Sequence, residues 1–473
     1  MQTGNSIERV TQHLRGLAAT GNAGARLPSV RELMRALKVG PVTVQRALDR
    51  LAREGVLDAR PGRGTFVAGS AADSTPAADT AWQAVALGPG RGGAKGLQAL
   101  VTLPPPGAHR LNVGYLPDEM QALPLLAAAA SRALRRPGVW ARLPPEGLEP
   151  LRAWFAREAG DAYAAHEVTI CPGTQAALSA AVRALARPGD PVLLESPTYL
   201  GALAAARAAG LQPLPVPTDD DGVRPELLDE AFRRTGARLF YCQPTYSNPA
   251  GAVLPPDRRA AVLDVVRRHN AFLIEDDWAR DFHLEPGVPP PPLAAADRDG
   301  HVVYLRSLTK CAAPGLRVGA VCARGAALGR LRAARLVDDF FVPGLLQETA
   351  LQLVTASSWP RHGRETRAAL RRRRDLLADA LRRRLGAGGL ASVPRGGLHL
   401  WARLPEGADD QEVAERAARA GVLVGAGRHW FPAEPPGAYL RLSFATVRPE
   451  WVEDAVGVLA AALSRSAADG RWP

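Results

Sequence analysis

One lysine, Lys310, lies between two apolar, strand-like segments of the sequence, residues 301–305 and 317–321. The 59 basic residues include only three lysines: Lys38, Lys95 and Lys310. An amine can lose its proton and attack an aldehyde to form a Schiff base, whereas a guanidinium cannot. Ser307 and Arg317 flank the lysine with a hydroxyl and a cationic fork of the kind that binds phosphate. Together these groups indicate pyridoxal phosphate, although they also fit a solvated loop lysine beside a surface arginine.

The sequence around this lysine resembles a known signature. Ser307-x-x-Lys310, followed by Ala-Pro-Gly-Leu-Arg-Val-Gly at residues 313–319, is similar to the cofactor-lysine motif of fold-type I aminotransferases. It is most similar to the branch with an N-terminal GntR-type winged helix, the MocR-type regulators. The resemblance implies an α/β protein with a winged helix-turn-helix and a fold-type I aminotransferase-like domain. That domain would have a mostly parallel sheet, flanking helices and a smaller C-terminal lid.

Length and composition limit the class of protein. A chain of 473 residues with 47% apolar residues is expected to form two or three domains. Its net charge of +12 permits binding to a polyanion such as DNA. We expect a cytoplasmic protein without membrane spans, because no apolar run approaches about 18 residues and residues 1–5 do not resemble a signal peptide. The cysteines lack metal-ligand spacing and favour reduced thiols: Cys171, Cys242, Cys311 and Cys322.

The first seventy residues have the pattern of a winged helix. Ser6 can cap a first helix, and Ser29 with Glu32 forms a capping box at the start of a second. Pro41 suits the first turn of a third helix. Residues 56–67 predict two short strands around a Pro-Gly turn. In a winged helix, the third helix enters the major groove of DNA, and Arg63 on the hairpin would lie in or beside the minor groove.

Three motifs of this segment resemble the GntR pattern: Leu-Pro-Ser-x-Arg-Glu-Leu from residue 27, Thr-Val-x-x-Ala-Leu from residue 43, and Arg-Gly-Thr-Phe-Val at residues 63–67. The resemblance implies six contacts to DNA: Arg31, Thr43, Gln45, Arg46, Arg63 and Gly64. The chain departs from the family at Gly40-Pro41, where Ser-Arg is usual, and at Gln45, which replaces a frequent arginine. These departures leave the operator sequence and the affinity open.

We expect a GntR-type domain at residues 1–69, a flexible linker at 70–108 and an aminotransferase-like domain at 109–473, with a lid subdomain at about 345–473. The linker prediction rests on the small and polar residues 68–79. Beyond the linker, short apolar strands alternate with helical stretches, which is typical of a mostly parallel sheet with helices on both faces. Ligands of such sheets bind at the carboxyl ends of the strands.

Four chemically useful groups follow predicted strands of this domain. Residues 173–175, Gly-Thr-Gln, open a helix whose free amides can bind phosphate, and Tyr199 can stack on a pyridine ring. Asn248 can donate to a phenolate oxygen, and Asp276 can keep a pyridine nitrogen protonated. Taken singly, each group also fits a structural role: a strand-to-helix turn, a core side chain, a proline turn or a helix cap.

The order of these groups, ending in Lys310, is similar to that of fold-type I enzymes over residues 111–464. The resemblance implies that Lys310 is the catalytic residue and carries the cofactor as a Schiff base. It implies that Asp276 contacts the pyridine nitrogen, Asn248 the ring oxygen and Tyr199 the ring face. It implies five phosphate contacts: Gly173, Thr174, Gln175, Ser307 and Arg317.

The resemblance also concerns the substrate side of the site. Arg441 is expected to bind the carboxylate of a substrate or effector, with a surface strand arginine as the alternative. Trp278 stands where relatives usually have a tyrosine near the ring oxygen, which leaves the extent of catalysis open. Residues 142–147 lack the tyrosine that relatives often direct to the phosphate of a neighbouring subunit, so no contact between subunits is assigned there.

Three functions remain open from the sequence. The first, which we favour, is a homodimeric transcription regulator that binds a double-stranded DNA operator and senses pyridoxal phosphate or its adduct with an amino acid or amine. The second is an active aminotransferase with an accessory DNA-binding domain. The third is a DNA-binding protein whose enzyme-like domain has lost the cofactor. The joint presence of Lys310, Asp276, Asn248 and Arg317 argues against the third.

Two arginine runs, residues 371–374 and 382–384, raise the question of a second surface for nucleic acid. Leucines recur at helical spacing through the same stretch, at Leu370, Leu377 and Leu381. We therefore expect a helix with most of these arginines on its solvated face.

Overall fold

The computed structural model describes residues 2–20, 24–60, 63–68, 79–87, 107–160, 163–386, 389–390 and 392–469. The chain divides into two compact units, Met1–Pro89 and Gly90–Pro473. Among the helices of these described ranges, none is long and apolar enough to cross a membrane. All four cysteines are buried free thiols.

The first unit has three helices and a hairpin. Its elements are α1 (Gln2–Thr20), α2 (Val30–Leu37), α3 (Pro41–Arg53), β1 (Leu57–Arg60) and β2 (Gly64–Val67). The two strands are antiparallel, with Leu57 opposite Val67. The predicted winged helix is therefore present. However, α1 begins at Gln2, so Ser6 lies inside the helix and does not cap it.

The other two local signals of this unit act as the sequence predicts. Ser29 Oγ accepts a hydrogen bond from the Glu32 main-chain N–H at 3.4 Å, and Glu32 Oε2 accepts one from the Ser29 main-chain N–H at 2.7 Å. This is the capping box at the start of α2. Pro41 lies in the first turn of α3. Apolar side chains of the helices and the hairpin share one core: Val10, Leu14, Leu33, Val44, Leu48, Leu51, Leu57 and Val67.

A short helix, α4 (Ala81–Leu87), lies within the predicted linker, and all of its residues are exposed. Its apolar side chains include Trp82, Val85 and Leu87. With seven residues it is too short to show a helical period in the sequence, so the prediction missed it. Residues 69–78 and 88–106, which make up most of the predicted linker, lie outside the described residues.

The second unit begins with a two-residue strand, β3 (His109–Arg110), and is built on an eight-stranded sheet. The sheet strands are β4 (Val168–Cys171), β5 (Pro191–Ser196), β6 (Gln212–Asp219), β7 (Gly222–Val223), β8 (Leu239–Cys242), β9 (Phe272–Asp277), β10 (Val302–Ser307) and β11 (Gly319–Cys322). Their spatial order is β4-β11-β10-β9-β8-β5-β6-β7. Neighbours are parallel except at β11 and β7, which run antiparallel to the strands beside them. The carboxyl ends of β4, β5, β8, β9 and β10 therefore meet at one edge.

Helices cover both faces of this sheet, as predicted. They are α5 (Leu123–Ala133), α6 (Glu149–Glu158), α7 (Thr174–Leu185), α8 (Leu200–Ala208), α9 (Pro225–Thr235), α10 (Pro256–Arg268), α11 (Gly325–Asp339) and α12 (Gly344–Val354). Successive strand residues enter opposite cores because side chains alternate along a strand. Leu273, for example, packs in one buried cluster and Ile274 in the other.

The last part of the unit is a smaller group of elements in the range where the lid subdomain is predicted. Its elements are α13 (Trp359–Leu385), β12 (His399–Arg403), α14 (Asp410–Arg419), β13 (Val422–Leu423), β14 (Gly425–Ala426), β15 (Tyr439–Ser443) and α15 (Val452–Asp469). β12, β15 and β14 form an antiparallel sheet. β13 pairs in parallel with β3, so residues near 110 join the lid elements. The chain that follows β3 thereby runs beside the lid sheet.

The arginine runs lie on α13, and most of these arginines are exposed, as expected. Arg374 is an exception, because it is buried. Its Nη1 donates to Glu285 Oε1 at 2.6 Å and to the Pro394 carbonyl oxygen at 2.8 Å. Since a buried guanidinium needs such partners, Arg374 ties α13 to the chain before β12 and is not available to nucleic acid.

Candidate functional site

Three strand ends form one corner of the site in the second unit. Gly319 on β11 lies opposite Cys171 at the end of β4 and opposite Ser307 at the end of β10. The residue pairing therefore places Gly173, which follows β4, close to Arg317, which precedes β11. The structure thus brings together predicted phosphate-binding residues that are far apart in the sequence.

Gly173 and Arg317 are in direct contact at this corner. Arg317 Nη2 donates to the Pro172 carbonyl oxygen at 2.8 Å. Gly173 has a φ of 90°, and a Cβ at this position would lie 2.7 Å from Arg317 Nη2. Both the backbone conformation and the close approach therefore require glycine. Arg317 itself has a φ of 50°, which is unusual for a side chain of this size.

The start of α7 lies at the same corner. Gly173 precedes the helix, and no side chain caps it. The first amides of α7, at Thr174 and Gln175, can therefore bind an anion together with the helix dipole. The Ser307 hydroxyl accepts a hydrogen bond from the Thr309 main-chain N–H at 3.0 Å. The Gln175 side chain instead donates to the Gly201 carbonyl oxygen at 3.1 Å, so its contribution to an anion site comes from the main chain.

Lys310 lies in a partly desolvated position beside this corner. Its Nζ donates to the Gly114 carbonyl oxygen at 2.6 Å and lies 3.7 Å from the centre of the Tyr115 ring. Burial lowers the pKa of Lys310 to about 7; the nearby charge of Arg441 adds to this effect and that of Asp276 opposes it. A large fraction of the amine is therefore unprotonated near neutral pH, which is the form that attacks an aldehyde.

Asp276 is buried at the end of β9. Its Oδ2 accepts hydrogen bonds from the Tyr241 hydroxyl at 2.7 Å and from Gln243 Nε2 at 2.9 Å. Its Oδ1 is also buried but has no partner within the described chain. Burial raises the pKa of Asp276 to about 6, although both hydrogen bonds act in the opposite direction. An unsatisfied buried carboxylate oxygen is costly, and a protonated ring nitrogen would satisfy it.

Arg441 reaches from β15 into the same region. Its Nη1 donates to Asn248 Oδ1 at 3.2 Å, and its Nη2 donates to the Asn112 carbonyl oxygen at 2.6 Å. The guanidinium lies 4.8 Å from the centre of the Trp430 ring. The Arg441 Nε has no partner among the residues that the structure describes. Because the side chain is 1% exposed, Arg441 is not the surface arginine that the sequence left open as an alternative.

The aromatic residues of the site are arranged around these groups. Tyr199 lies close to Asp276 and Tyr115. Burial is the main cause that raises the pKa of Tyr199, and the charges of these two neighbours add to it. The Trp278 N–H donates to the Tyr246 carbonyl oxygen at 2.9 Å. This donor is therefore not available to a cofactor oxygen. The Trp278 ring lies 5.6 Å from the ring of the buried His399.

Several site residues were not predicted from the sequence: Asn112, Gly114, Tyr115, Tyr241, Gln243, His399 and Trp430. Residues 112–115 show no pattern that marks them, because their role depends on the position of β3 beside the lid. Tyr241 and Gln243 did leave a signal. Alternate residues of an extended strand share a face, so continuing the predicted strand to Gln243 would have placed both side chains on one side of β8, beside the strand that carries Asp276.

The predicted DNA contacts of the first unit are spread over α2, α3 and the hairpin of β1 and β2. All are exposed except Thr43, which is half-buried: Arg31, Thr43, Gln45, Arg46, Arg63 and Gly64. Gln45 Nε2 donates to Asp49 Oδ1 at 2.9 Å. Arg15 and Arg50, in contrast, form ion pairs with Glu54. The predicted residues are thus accessible, and their contacts with DNA remain a prediction.

Comparison with known families matches residues 110–459 to aminotransferase class I and II and residues 7–67 to the bacterial regulatory proteins of the gntR family. The vitamin B6 salvage pathway transcriptional repressor PtsJ of Salmonella typhimurium is 30% identical over 98% of this chain and 99% of its own length. The probable rhizopine catabolism regulatory protein MocR of Rhizobium meliloti is 27% identical over 97% of this chain and 93% of its own.

A solved structure is also similar to the second unit. It is LysN, the alpha-aminoadipate aminotransferase of Thermus thermophilus, in complex with N-(5'-phosphopyridoxyl)-L-leucine. The TM-score is 0.72 at 30% identity, over 79% of this chain and 97% of that chain. The second unit is therefore an aminotransferase class I and II domain, joined to a gntR-family domain. With this architecture the chain belongs to the MocR-type HTH regulators.

Proposed function

We propose that the chain is a cytoplasmic transcription regulator that binds an operator through its gntR-family domain and senses pyridoxal phosphate, or an amine that reacts with it, through its aminotransferase domain. The proposal rests mainly on Asp276 Oδ1, which is buried without a partner among the described residues, in a site that also holds Lys310, whose pKa burial lowers to about 7. A buried carboxylate oxygen without a hydrogen-bond partner costs free energy, and so does a buried ammonium ion. A domain that served only for dimerisation would gain nothing from them.

The residues fit pyridoxal phosphate from end to end. The phosphate would be held by the amides of Thr174 and Gln175, the Ser307 hydroxyl and Arg317, with Gly173 leaving room for the guanidinium. Asp276 Oδ1 would accept from the ring nitrogen, the Asn248 amide would contact the ring oxygen, and Tyr199 would lie against the ring. When bound, the cofactor supplies an aldehyde that reacts with amines and a ring that withdraws electrons. Lys310 would supply the amine that holds it.

The effector in this proposal is an amino acid, or a similar amine with a carboxylate, that displaces Lys310 from the cofactor. Arg441 would bind the carboxylate, because its guanidinium is buried and no carboxylate among the described residues pairs with it. Moving a population of conformations from 1:99 to 99:1 requires about 5.5 kcal/mol of differential binding. A charge-assisted hydrogen bond contributes about 1.5–3 kcal/mol, so a bidentate carboxylate supplies much of that.

We also propose that the regulator is a homodimer. Large apolar side chains of the second unit are exposed, mainly around the end of α11 and the loop after α5: Leu134, Trp140, Leu336, Val337 and Phe340. Exposed apolar side chains in this number are more stable when another protein covers them than when they contact water, which indicates an interface. A second copy of the chain is the partner that the resemblance to fold-type I enzymes implies.

An active aminotransferase is the second candidate, because Lys310 has a pKa close to neutral and LysN is an aminotransferase.

The proposal that the chain is a regulator is tested first at the cofactor. The purified protein should absorb in the near-visible range with pyridoxal phosphate, borohydride should fix the cofactor to the chain, and Lys310→Ala should abolish this fixation. The wild-type protein should also bind DNA from the region upstream of its own gene more tightly than DNA of random sequence. A protein that binds no pyridoxal phosphate, or that shows no preference among DNA sequences, would refute the proposal.

A further inference from the structure

Gln243 connects the separate parts of the cofactor site. It follows β8 and is 3% exposed. Its main-chain N–H donates to Glu195 Oε2 at 2.8 Å, and its Nε2 donates to Asp276 Oδ2 at 2.9 Å. Its Oε1 accepts from the Asn248 main-chain N–H at 2.8 Å. One residue therefore joins the ends of three neighbouring strands through hydrogen bonds.

We propose that Gln243 is a positioning residue that holds Asp276 and Asn248 in fixed relation, and thereby couples occupancy of the Arg441 carboxylate site to the electronic state of the bound cofactor. The inference rests on the proposed function. The path is continuous in the structure, because Asn248 Oδ1 accepts from Arg441 Nη1 at 3.2 Å. It therefore runs from Arg441 through Asn248 and Gln243 to Asp276. A ligand that moves Arg441 changes the hydrogen bond at Asn248, and Gln243 transmits that change.

The charges around Asp276 explain why an amide suits this position. Burial raises the pKa of Glu195 to about 7; the hydrogen bond from the Gln243 main-chain N–H opposes this effect, and the charge of Asp276 adds to it. Gln243 donates to both carboxyl groups and adds no charge of its own. The other titratable groups near Asp276 are Tyr199, Tyr241 and Lys310 from neighbouring elements, and Asp277 from the same strand. With both donors on Oδ2, Asp276 keeps Oδ1 for the ring nitrogen.

A purely structural role is the alternative, and the chain contains a matched control for it. Gln347 on α12 is also buried and also uses both ends of its amide. Its Oε1 accepts from the Leu148 main-chain N–H at 2.8 Å, and its Nε2 donates to the Val342 carbonyl oxygen at 2.7 Å. Neither hydrogen bond involves a residue of the cofactor site. Gln347→Met therefore measures the effect of losing a buried amide without a change at Asp276.

The test compares Gln243→Met and Gln347→Met in the full-length protein, by titration of the cofactor-free forms with pyridoxal phosphate. We expect Gln243→Met to bind the cofactor about 10- to 100-fold more weakly, as for a lost hydrogen bond to a charged group. The pH at which the absorbance of the bound cofactor changes should rise, because a less firmly protonated ring nitrogen withdraws fewer electrons from the Lys310 nitrogen. Gln347→Met should lower the melting temperature and leave both quantities unchanged.

A third measurement addresses the coupling itself. Addition of a carboxylate-bearing amino acid should shift the absorbance of the wild-type holo-protein more than its decarboxylated amine does, and Gln243→Met should abolish that difference. If Gln243→Met does not fold, Gln243→Asn replaces it, since the shorter amide cannot reach both Asp276 and Asn248. Equal behaviour of the Gln243 and Gln347 variants would overturn the inference. A wild-type protein that binds no cofactor would instead overturn the proposed function.

Discussion

At the scale of single residues, the site gathers groups whose burial costs free energy unless a ligand satisfies them. Asp276 Oδ1 and Arg441 Nε have no partners among the described residues, and burial lowers the pKa of Lys310 to about 7. Arg317 is held in an unusual backbone conformation beside Gly173. Such features persist where a function requires them, and Asp276, Arg317 and Arg441 all lie near Lys310.

The first prediction concerns the ionisation of Lys310. The rate at which pyridoxal phosphate attaches to the cofactor-free protein should rise with pH up to about 7 and level off above it. Below this pKa the side chain is an ammonium ion without a free electron pair; above it the amine can react. Stopped-flow absorbance with Lys310→Ala as the blank gives the profile. A rate that still rises tenfold per unit near pH 9 would indicate a solvated lysine, whose pKa is about 10.4.

The second prediction concerns Gly173 at the phosphate corner. Gly173→Ala should weaken cofactor binding by at least about tenfold, because the new Cβ must displace Arg317, one charge-assisted phosphate contact. Gly189→Ala is the matched control, since Gly189 has a φ of 92° but no atom within 4 Å of the added Cβ. Both variants carry the same backbone strain, so both should lose stability. Equal cofactor affinity in the two variants would show that Arg317 does not bind the phosphate.

At the scale of elements, the ends of the sheet strands position the residues that would hold the cofactor. The winged helix, in turn, has arginines in ion pairs and arginines without them. On the described part of the first unit, Arg15 and Arg50 are in ion pairs, whereas Arg46 and Arg63 are exposed and form none with described residues. Free arginines on the third helix and the hairpin are those that can neutralise phosphates of DNA. We therefore expect the face with the unpaired arginines to contact DNA, while the ion pairs on the other face stabilise the domain.

The third prediction follows from this separation. Arg46→Ala and Arg63→Ala should each weaken DNA binding and reduce the slope of log affinity against log salt by about 0.9 if the residue contacts one phosphate. Arg15→Ala should leave the slope unchanged, because that arginine is occupied by Glu54. Fluorescence anisotropy at several salt concentrations measures the slope in the full-length protein. Equal slopes in all three variants would mean that the DNA-binding face is elsewhere.

Most elements of the fold could be predicted because each has a local signal. The capping box at Ser29 and the short apolar strands are examples, and the sheet follows from their alternation with helices. β6 could not be predicted, since prolines at 213, 215 and 217 argue against a strand. In the structure the three prolines alternate along the strand, so their nitrogens, which lack a hydrogen to donate, all face the same edge. β5 pairs along its other side, and β7 covers only Thr218 and Asp219.

The candidate site, like the fold, could be predicted only where the sequence carries a local signal. Residues such as Lys310 and Asp276 have a chemistry that is visible in the sequence and lie next to strands. Gly114 and Asn112 act through their carbonyl oxygens, which every residue has, and they reach the site only because β3 pairs with β13. Main-chain contacts made by long-range pairing leave no trace in residue type.

At the scale of the whole molecule, a DNA-binding domain and a cofactor domain share one chain, and two such chains would match a twofold operator. The fourth prediction tests the association. Val337→Arg should shift the protein toward monomers in light scattering, because Val337 is 87% exposed near other apolar side chains. Val288→Arg is the control at an equally exposed valine, 85%, elsewhere on the unit. If both variants behave as the wild type does, α11 is not at the interface.

The central claim is that the cofactor domain regulates DNA binding and is not primarily a catalyst. The most direct measurement follows operator affinity and keto-acid production side by side in one sample, for the cofactor-free protein, the holo-protein, and the holo-protein with each of a panel of amino acids. The account predicts that pyridoxal phosphate or one of these amines changes the operator affinity, while keto acid forms slowly or not at all. Rapid multiple turnover with an operator affinity that neither the cofactor nor any amine changes would contradict it.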